Sequence, residues 1–225
     1  MYKLILSTFV LNLFFFFSFV LNLSFADEKS QIKQYETGGI YEGEFLDGKQ
    51  HGKGKYSLPN GYRYEGDWKE GKIEGFGKAK YPDGSFYEGT FIDGQHSGEG
   101  KIIFPDGSFY KGNWLEGNFN GYGFLEYSNG ITLEGNFFNG LLDGKGTQKN
   151  KDGYIYNGDW KIGEKTGIAI INYDGGGKYE GGVLKGTRNG KGKLTLLDGS
   201  ILEGNFINGT ISGKGSIIYA NGDGY

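Results

Sequence analysis

One phrase returns eight times along this chain at an unvarying spacing of 23 residues: aromatic, any residue, Gly, any residue, aromatic, two residues, Gly, three residues, Gly, any residue, Gly. It opens at Tyr41, Tyr64, Tyr87, Tyr110, Leu133, Tyr156, Tyr179 and Leu202, and Tyr225 stands where a ninth unit would begin. A fixed period of that length marks an array in which each unit covers its neighbours' apolar surface. Most of the 45 glycines in the 225 residues fall on five positions of the unit, so they mark backbone geometry rather than low complexity. An aromatic content of 17% sets the chain apart from disordered segments.

With each unit numbered from its first aromatic as position 0, positions 0, 2 and 4 read aromatic, Gly, aromatic, while 1 and 3 are polar, as in Tyr64, Glu65, Gly66, Asp67 and Trp68. That is strand alternation with one apolar face. Positions 13, 15 and 17 read Gly, apolar, aromatic, as in Gly123, Leu125 and Tyr127, and predict a second strand facing the same way. Parity leaves the register open, and pairing positions that sum to 17 has support from charge: it sets Glu65 against Lys80, Glu134 against Lys149 and Lys111 against Glu126, with Glu44 beside Lys55 and Asp67 beside Lys78. In that register the ring at position 4 crosses the glycine at 13, which accounts for the missing Cβ. Pro59, Pro82 and Pro105 at position 18, followed by Asn-Gly or Asp-Gly, predict tight turns between units.

The fold class is therefore all-β: an elongated single-layer antiparallel array of eight hairpins, on the order of 75 Å long at about 4.8 Å per strand. A single layer either curls so that rings of adjacent units stack, or lends its aromatic face to a ligand. The rings concerned are Tyr41, Phe45, Tyr64, Trp68, Tyr87, Phe91, Tyr110, Trp114, Phe137, Tyr156, Trp160, Tyr179 and Phe206. Stacking within the sheet is the favoured reading, and the same rings are the candidate contact face.

Lys3, an uncharged apolar run from Leu4 to Leu23, and Ser24-Phe25-Ala26 before Asp27 have the form of a secretory signal peptide cleaved after Ala26. Residues 1–26 are then a leader, 27–38 a polar linker and 39–225 the array, in an exported protein, periplasmic or extracellular. Left uncleaved, residues 4–23 would anchor the array in a membrane. Cysteine is absent, so packing and not disulfides must hold the array together. A net charge of -3 without any Lys/Arg cluster gives no electrostatic basis for a nucleic-acid partner.

The sequence offers no enzyme chemistry and no cofactor motif. His51 and His96 stand at different places in the unit, positions 10 and 9, within the segment read as a solvated loop, and nothing beside them recurs as a metal or catalytic set. Gly-x-Gly never opens a helix after a strand and is no phosphate loop. Glu at position 1 in six units (Glu42, Glu65, Glu88, Glu134, Glu180, Glu203) forms a row of carboxylates, read as a solvated face with lysines opposite rather than a cation site. Ala169, Gly175 to Gly177, Gly182 and Val183 predict a soft joint between repeats six and seven.

The motif Tyr-x-Gly-x-Trp-x-x-Gly-x-x-x-Gly-x-Gly, carried by Tyr64 to Gly77 and Tyr110 to Gly123, resembles the MORN (membrane occupation and recognition nexus) repeat. The resemblance spans Tyr41 to Gly222, with departures at Leu133, Leu202, Val183, Ala169, Gln148 and Asn150. It implies an elongated β array used as a scaffold in many settings, among them junctophilins, plant phosphatidylinositol phosphate kinases and a SET-class histone lysine methyltransferase. Lipid binding, protein contacts and dimerisation are the roles attributed to the repeat. The expectation is an exported, non-enzymatic scaffold whose aromatic face or strand edges bind an unidentified protein, with a second copy of the chain as a further candidate partner. The rivals are a membrane-lipid module and the regulatory array of an enzyme whose catalytic domain follows residue 225.

Overall fold

The computed structural model describes residues 30–225, so the apolar segment and the cleavage site lie outside the described residues. The described chain forms one antiparallel sheet of 17 strands. Each strand pairs with its neighbours in the chain, from β1 (Gln31–Gln34) through β2 (Ile40–Leu46) and β3 (Lys49–Ser57) to β16 (Ile201–Ile207) and β17 (Thr210–Ile218). β1 lies inside the segment expected to be a linker. Gln31 pairs with Gly43 and Gln34 with Ile40, and the turn after it carries the same two backbone hydrogen bonds, Gly38 N–H to Tyr35 O and Tyr35 N–H to Gly39 O, as later inter-unit turns such as that of Tyr81 to Ser85. It takes the place that a unit's second strand takes elsewhere, disguised because Gln31 and Lys33 stand where most units have glycine and an apolar residue.

The hairpin turn sits at positions 6 and 7. Asp47 and Gly48 have φ of 51° and 76°, and Asp93 and Gly94 have 49° and 77°. Two consecutive left-handed residues make the type I′ turn, whose twist matches that of the flanking strands and which Asp-Gly or Asn-Gly favours. Such a turn fixes pairs near it at a sum of 13, as in Trp68 with Ile73 and Lys69 with Lys72. A bulge then places two extra residues on the second strand, with Gly75 at φ 107°, and beyond it the sum is 15: Gly66 with Gly77, Glu65 with Lys78, Tyr64 with Ala79.

This corrects the register expected from charge. Glu65 faces Lys78 rather than Lys80, Lys111 faces Phe124 rather than Glu126, Glu134 faces Thr147 rather than Lys149, and Glu44 faces His51. Because 13 and 15 are odd, as 17 is, every side chain keeps the face that parity assigned to it.

The new register aligns glycine at position 2 with glycine at 13 within each hairpin and across each junction, as in Gly54, Gly66, Gly77 and Gly89. A file of residues without side chains thus crosses the sheet, with Gln31 at its edge and Ala169 within it as the exceptions. The tyrosine at position 0, not the ring at 4, lies over it. A Cβ at Gly77 would stand 2.5 Å from Tyr64 Cε2, and one at Gly66 would stand 2.5 Å from the Gly77 Cα. The Tyr64 and Tyr110 hydroxyls donate to the carbonyls of Asp67 and Asn113, both at 2.9 Å.

The core is a chain of edge-on aromatic contacts on one face. Tyr64 lies 5.5 Å from Trp68 of its own unit and 5.2 Å from Phe91 of the next, and Tyr87 lies 5.0 Å from Phe91 and 5.2 Å from Trp114. Where position 4 is Trp, its Nε1–H donates to the preceding unit's glycine carbonyl, Trp68 to Gly54 at 3.3 Å and Trp160 to Gly146 at 3.0 Å. The sheet buries its apolar face on itself, with no second layer among the described residues.

Candidate functional site

The rings expected as a candidate contact face have little surface left to offer. Tyr41, Tyr64, Tyr87, Tyr110, Tyr156 and Tyr179 are at most 2% exposed, and Trp68, Phe91, Trp114, Phe137, Trp160 and Phe206 are buried, with Phe45 partly buried against them. Position 9 closes over the tyrosine: His96 stacks on Tyr87 at 3.6 Å and 11°, and Phe119 on Tyr110 at 3.7 Å and 8°. Sequence reading missed this slot because its occupants, Gln50, Ile73, His96, Phe119, Leu142, Lys165, Arg188 and Ile211, share no residue type or chemical class.

The slot accounts for the perturbed titratable groups on this face. His96 lies within β7 (Gln95–Ile103) and not in a solvated loop, as does His51 within β3. Burial lowers the His96 pKa to about 4, and its Nε2 lies 2.5 Å from Tyr81 Oη. Lys165, on β13 (Glu164–Asn172), fills the slot with its ammonium 4.7, 4.9 and 5.6 Å from the rings of Tyr154, Tyr156 and Trp160, and burial lowers its pKa to about 8. Arg188 lies over Tyr179 and Phe206 and donates to Gly209 O at 2.6 Å. Each of these groups covers a core ring, and among the described residues no three metal-ligating side chains gather.

The opposite face carries the free side chains, ordered in files that cross the strands. Positions 1 and 14 share one file, in which Glu65 pairs with Lys55 at 3.6 Å, Glu88 with Lys78 at 3.1 Å and Glu203 with Lys193 at 3.5 Å. Positions 3 and 12 share the next. Carboxylates at position 3 receive the backbone N–H freed by the bulge, Asp67 from Phe76 at 2.9 Å and Asp159 from Ile168 at 2.8 Å. They also pair with the preceding unit's lysine, Asp67 with Lys53 and Asp159 with Lys145. The Lys145 ammonium and the Ile168 N–H hold the Asp159 carboxyl below the usual carboxylate range.

Between these files runs a groove floored by the backbone of the glycine file. Its first stretch, about 650 Å³, is walled mainly by charge, including Glu42, Glu44, Lys53, Lys55 and Glu65. The second, about 570 Å³, differs: Phe76, Tyr122 and Phe124 stand on its walls beside two lysines, Lys101 and Lys111, and two carboxylates, Glu88 and Glu99. Phe76 and Tyr122 are 51% and 57% exposed, the reverse of the core rings behind them.

The family model described as MORN repeat matches residues 41–61, 64–86, 87–109, 110–132, 134–153, 179–201 and 203–224. It passes over the hairpin of β12 (Ile155–Lys161) and β13, whose strands pair as the others do. Among solved structures, the G-box domain of the microcephaly protein CPAP is similar at 14% identity and a TM-score of 0.49, covering 87% of this chain and 96% of that one. The TCP domain of SAS-4 from Drosophila melanogaster, solved with a proline-rich motif of Ana2, is similar at 15% identity and a TM-score of 0.43, covering 67% and 82%. No curated protein matches the chain.

Proposed function

Since the chain belongs to the MORN-repeat family, we propose that it is an exported, non-enzymatic scaffold that holds a protein partner on the face opposite its aromatic core. The observation that carries this reading is the contrast in exposure between the two faces. The core rings are consumed in mutual packing, whereas Phe76 and Tyr122 stand half-exposed beside a groove on a face that carries paired charges and also exposes aliphatic side chains such as Ile92, Leu115 and Ile168. Exposed rings beside polar walls are what a protein contact uses for affinity and orientation. Recruitment by an anionic membrane draws on clustered Lys and Arg, and Lys53, Lys55, Lys78, Lys145 and Lys193 of this face are paired with carboxylates.

Photo-crosslinking from positions 76 and 122 of the exported chain in its native compartment tests the reading, with the Lys185 turn as control. A protein adduct from the groove and none from the turn is expected. No groove adduct, together with sedimentation on phosphatidylserine vesicles, would transfer the function to lipid. Intact mass of the exported chain tests the leader, and a start at Asp27 is expected.

A further inference from the structure

The file of positions 1 and 14 alternates in sign from strand to strand at its start: Glu42, Lys55, Glu65, Lys78, Glu88, Lys101. It then breaks. The next members are Lys111 and Phe124, before Glu134 restores the acid. Lys101 on β7 and Lys111 on β8 (Phe109–Leu115) are direct cross-strand partners, and like charges so placed destabilise a sheet. Among the described residues neither ammonium has a carboxylate within ion-pair distance, while Lys55, Lys78 and Lys193 of the same file do. Lys101 instead lies 4.6 Å from the centre of the Phe109 ring.

The break coincides with the exposed rings. Phe76 on β5 (Lys72–Lys80) and Tyr122 on β9 (Asn118–Glu126) flank it, and Phe124 takes the place of an ion-pair partner beside Lys111. Four strand spacings separate β5 from β9, roughly 19 Å, which about six residues of extended chain span. Two ammoniums outside any ion pair, midway between two exposed rings, call for carboxylates at the centre of such a segment, seated on the lysines and clear of Glu88 and Glu99, and large apolar side chains at its ends.

We propose that the groove across β5–β9 is the docking site for an extended acidic segment of a protein partner, its carboxylates seated between Lys101 and Lys111 and its flanking aromatic or aliphatic side chains on Phe76 and Tyr122. The proposal rests on the scaffold reading above and adds the site and the chemistry of the partner. It also assigns the like-charged pair a purpose: an opposition unfavourable in the free array is relieved only when the anionic segment binds.

Fluorescence anisotropy of the mature chain with a fluorescein-labelled peptide, Phe-Ser-Asp-Asp-Ser-Phe, provides the test. Saturable binding is expected, at least tenfold weaker when Lys replaces both Asp residues or Ala both Phe residues. Lys111→Glu restores the alternating file, so it should weaken binding at least tenfold while leaving the melting temperature unchanged or higher, which separates a lost contact from a lost fold. Lys191→Glu, remote from the break, should bind within twofold of the parent. Absence of saturable binding, equal binding by Lys111→Glu, or equal binding of the basic peptide would overturn the proposal. Phosphatidylserine vesicles bound in a Lys111-dependent way would overturn it in favour of lipid. A groove crosslink to a protein that survives Lys111→Glu would sink the acidic anchor and leave the scaffold reading standing.

Discussion

In repeat four the ring of Tyr110 is enclosed by Trp114 and Phe137, each 5.3 Å away, and by Phe119 stacked at 3.7 Å. In repeat six the corresponding Tyr156 has one close ring, Trp160 at 5.3 Å, with Lys165 over its face and Val183 where the next unit would supply an aromatic. The two hairpins nevertheless share their frame. Their turns have φ of 49° and 79° at Glu116 and Gly117, and of 48° and 75° at Ile162 and Gly163, and both shift register after the glycine at position 2. The turn and the bulge set the backbone, and the rings fill what the backbone leaves. The slot residue and the next unit's ring are thus replaceable, as Lys165 and Val183 show, and the hairpin of repeat six persists with its own departure from the motif at Ala169.

The sharpest way to break this comparison is through the glycine file. In repeat four a Cβ at Gly123 would lie 2.5 Å from Tyr110 Cζ, so Gly123→Ala should destabilise by about 3 kcal/mol, the upper range for overpacking. Repeat six already carries the methyl, and Ala169→Gly should change stability by less than about 1 kcal/mol. Urea unfolding of both variants checks the pair, and equal losses would mean that the tyrosine ring does not dictate the glycine.

The stacking slot predicts that stability rises with pH in two separate windows, one acid and one alkaline. His96 is held neutral with a pKa of about 4, against about 6.5 when unfolded, so the unfolded chain binds more protons between these values and stability falls as pH drops through that window. Lys165, lowered to about 8 against about 10.4 unfolded, adds stability as pH rises from about 8 towards 10. Thermal melts of His96→Phe and Lys165→Met should lose the acid and the alkaline slopes respectively. A wild-type slope in either variant would place the titrating group elsewhere.

Amide exchange should be about tenfold faster in residues 167–184 than in 121–138, where rings enclose the backbone. Equal protection would refute a soft joint. The smallest effect concerns Ile162, a β-branched residue at φ 48° where the seven other units have Asp, Glu, Asn or Lys. Ile162→Asn should stabilise by about 1 kcal/mol, measured by the shift in urea midpoint, and no shift would mean that the turn relaxes around it.

The period, the two strands per unit and the face of each side chain were legible in the sequence because alternation survives any even shift. The register was not, although its signal was present in Asp47-Gly48, Asp93-Gly94, Asn139-Gly140 and Asn208-Gly209. Those dipeptides are the preferred I′ turn, but the bulge two strand residues later leaves no letter of its own beyond a glycine. The candidate site was hidden by the same omission. Phe76, Tyr122 and Phe124 occupy positions of polar parity, and only the true pairing shows that they share a groove with Lys101 and Lys111.

Strands that lie across the long axis, each bonded only to its chain neighbours, have a mechanical consequence. Tension applied between residues 31 and 218 would meet the ladders one at a time, opening them as a zipper opens instead of shearing them together. Each hairpin released would add 23 residues, roughly 75–80 Å of extended chain, so the array would lengthen in equal steps at low force. Repeats six and seven would yield first, and the ring-filled middle would hold its groove in shape until late in the extension.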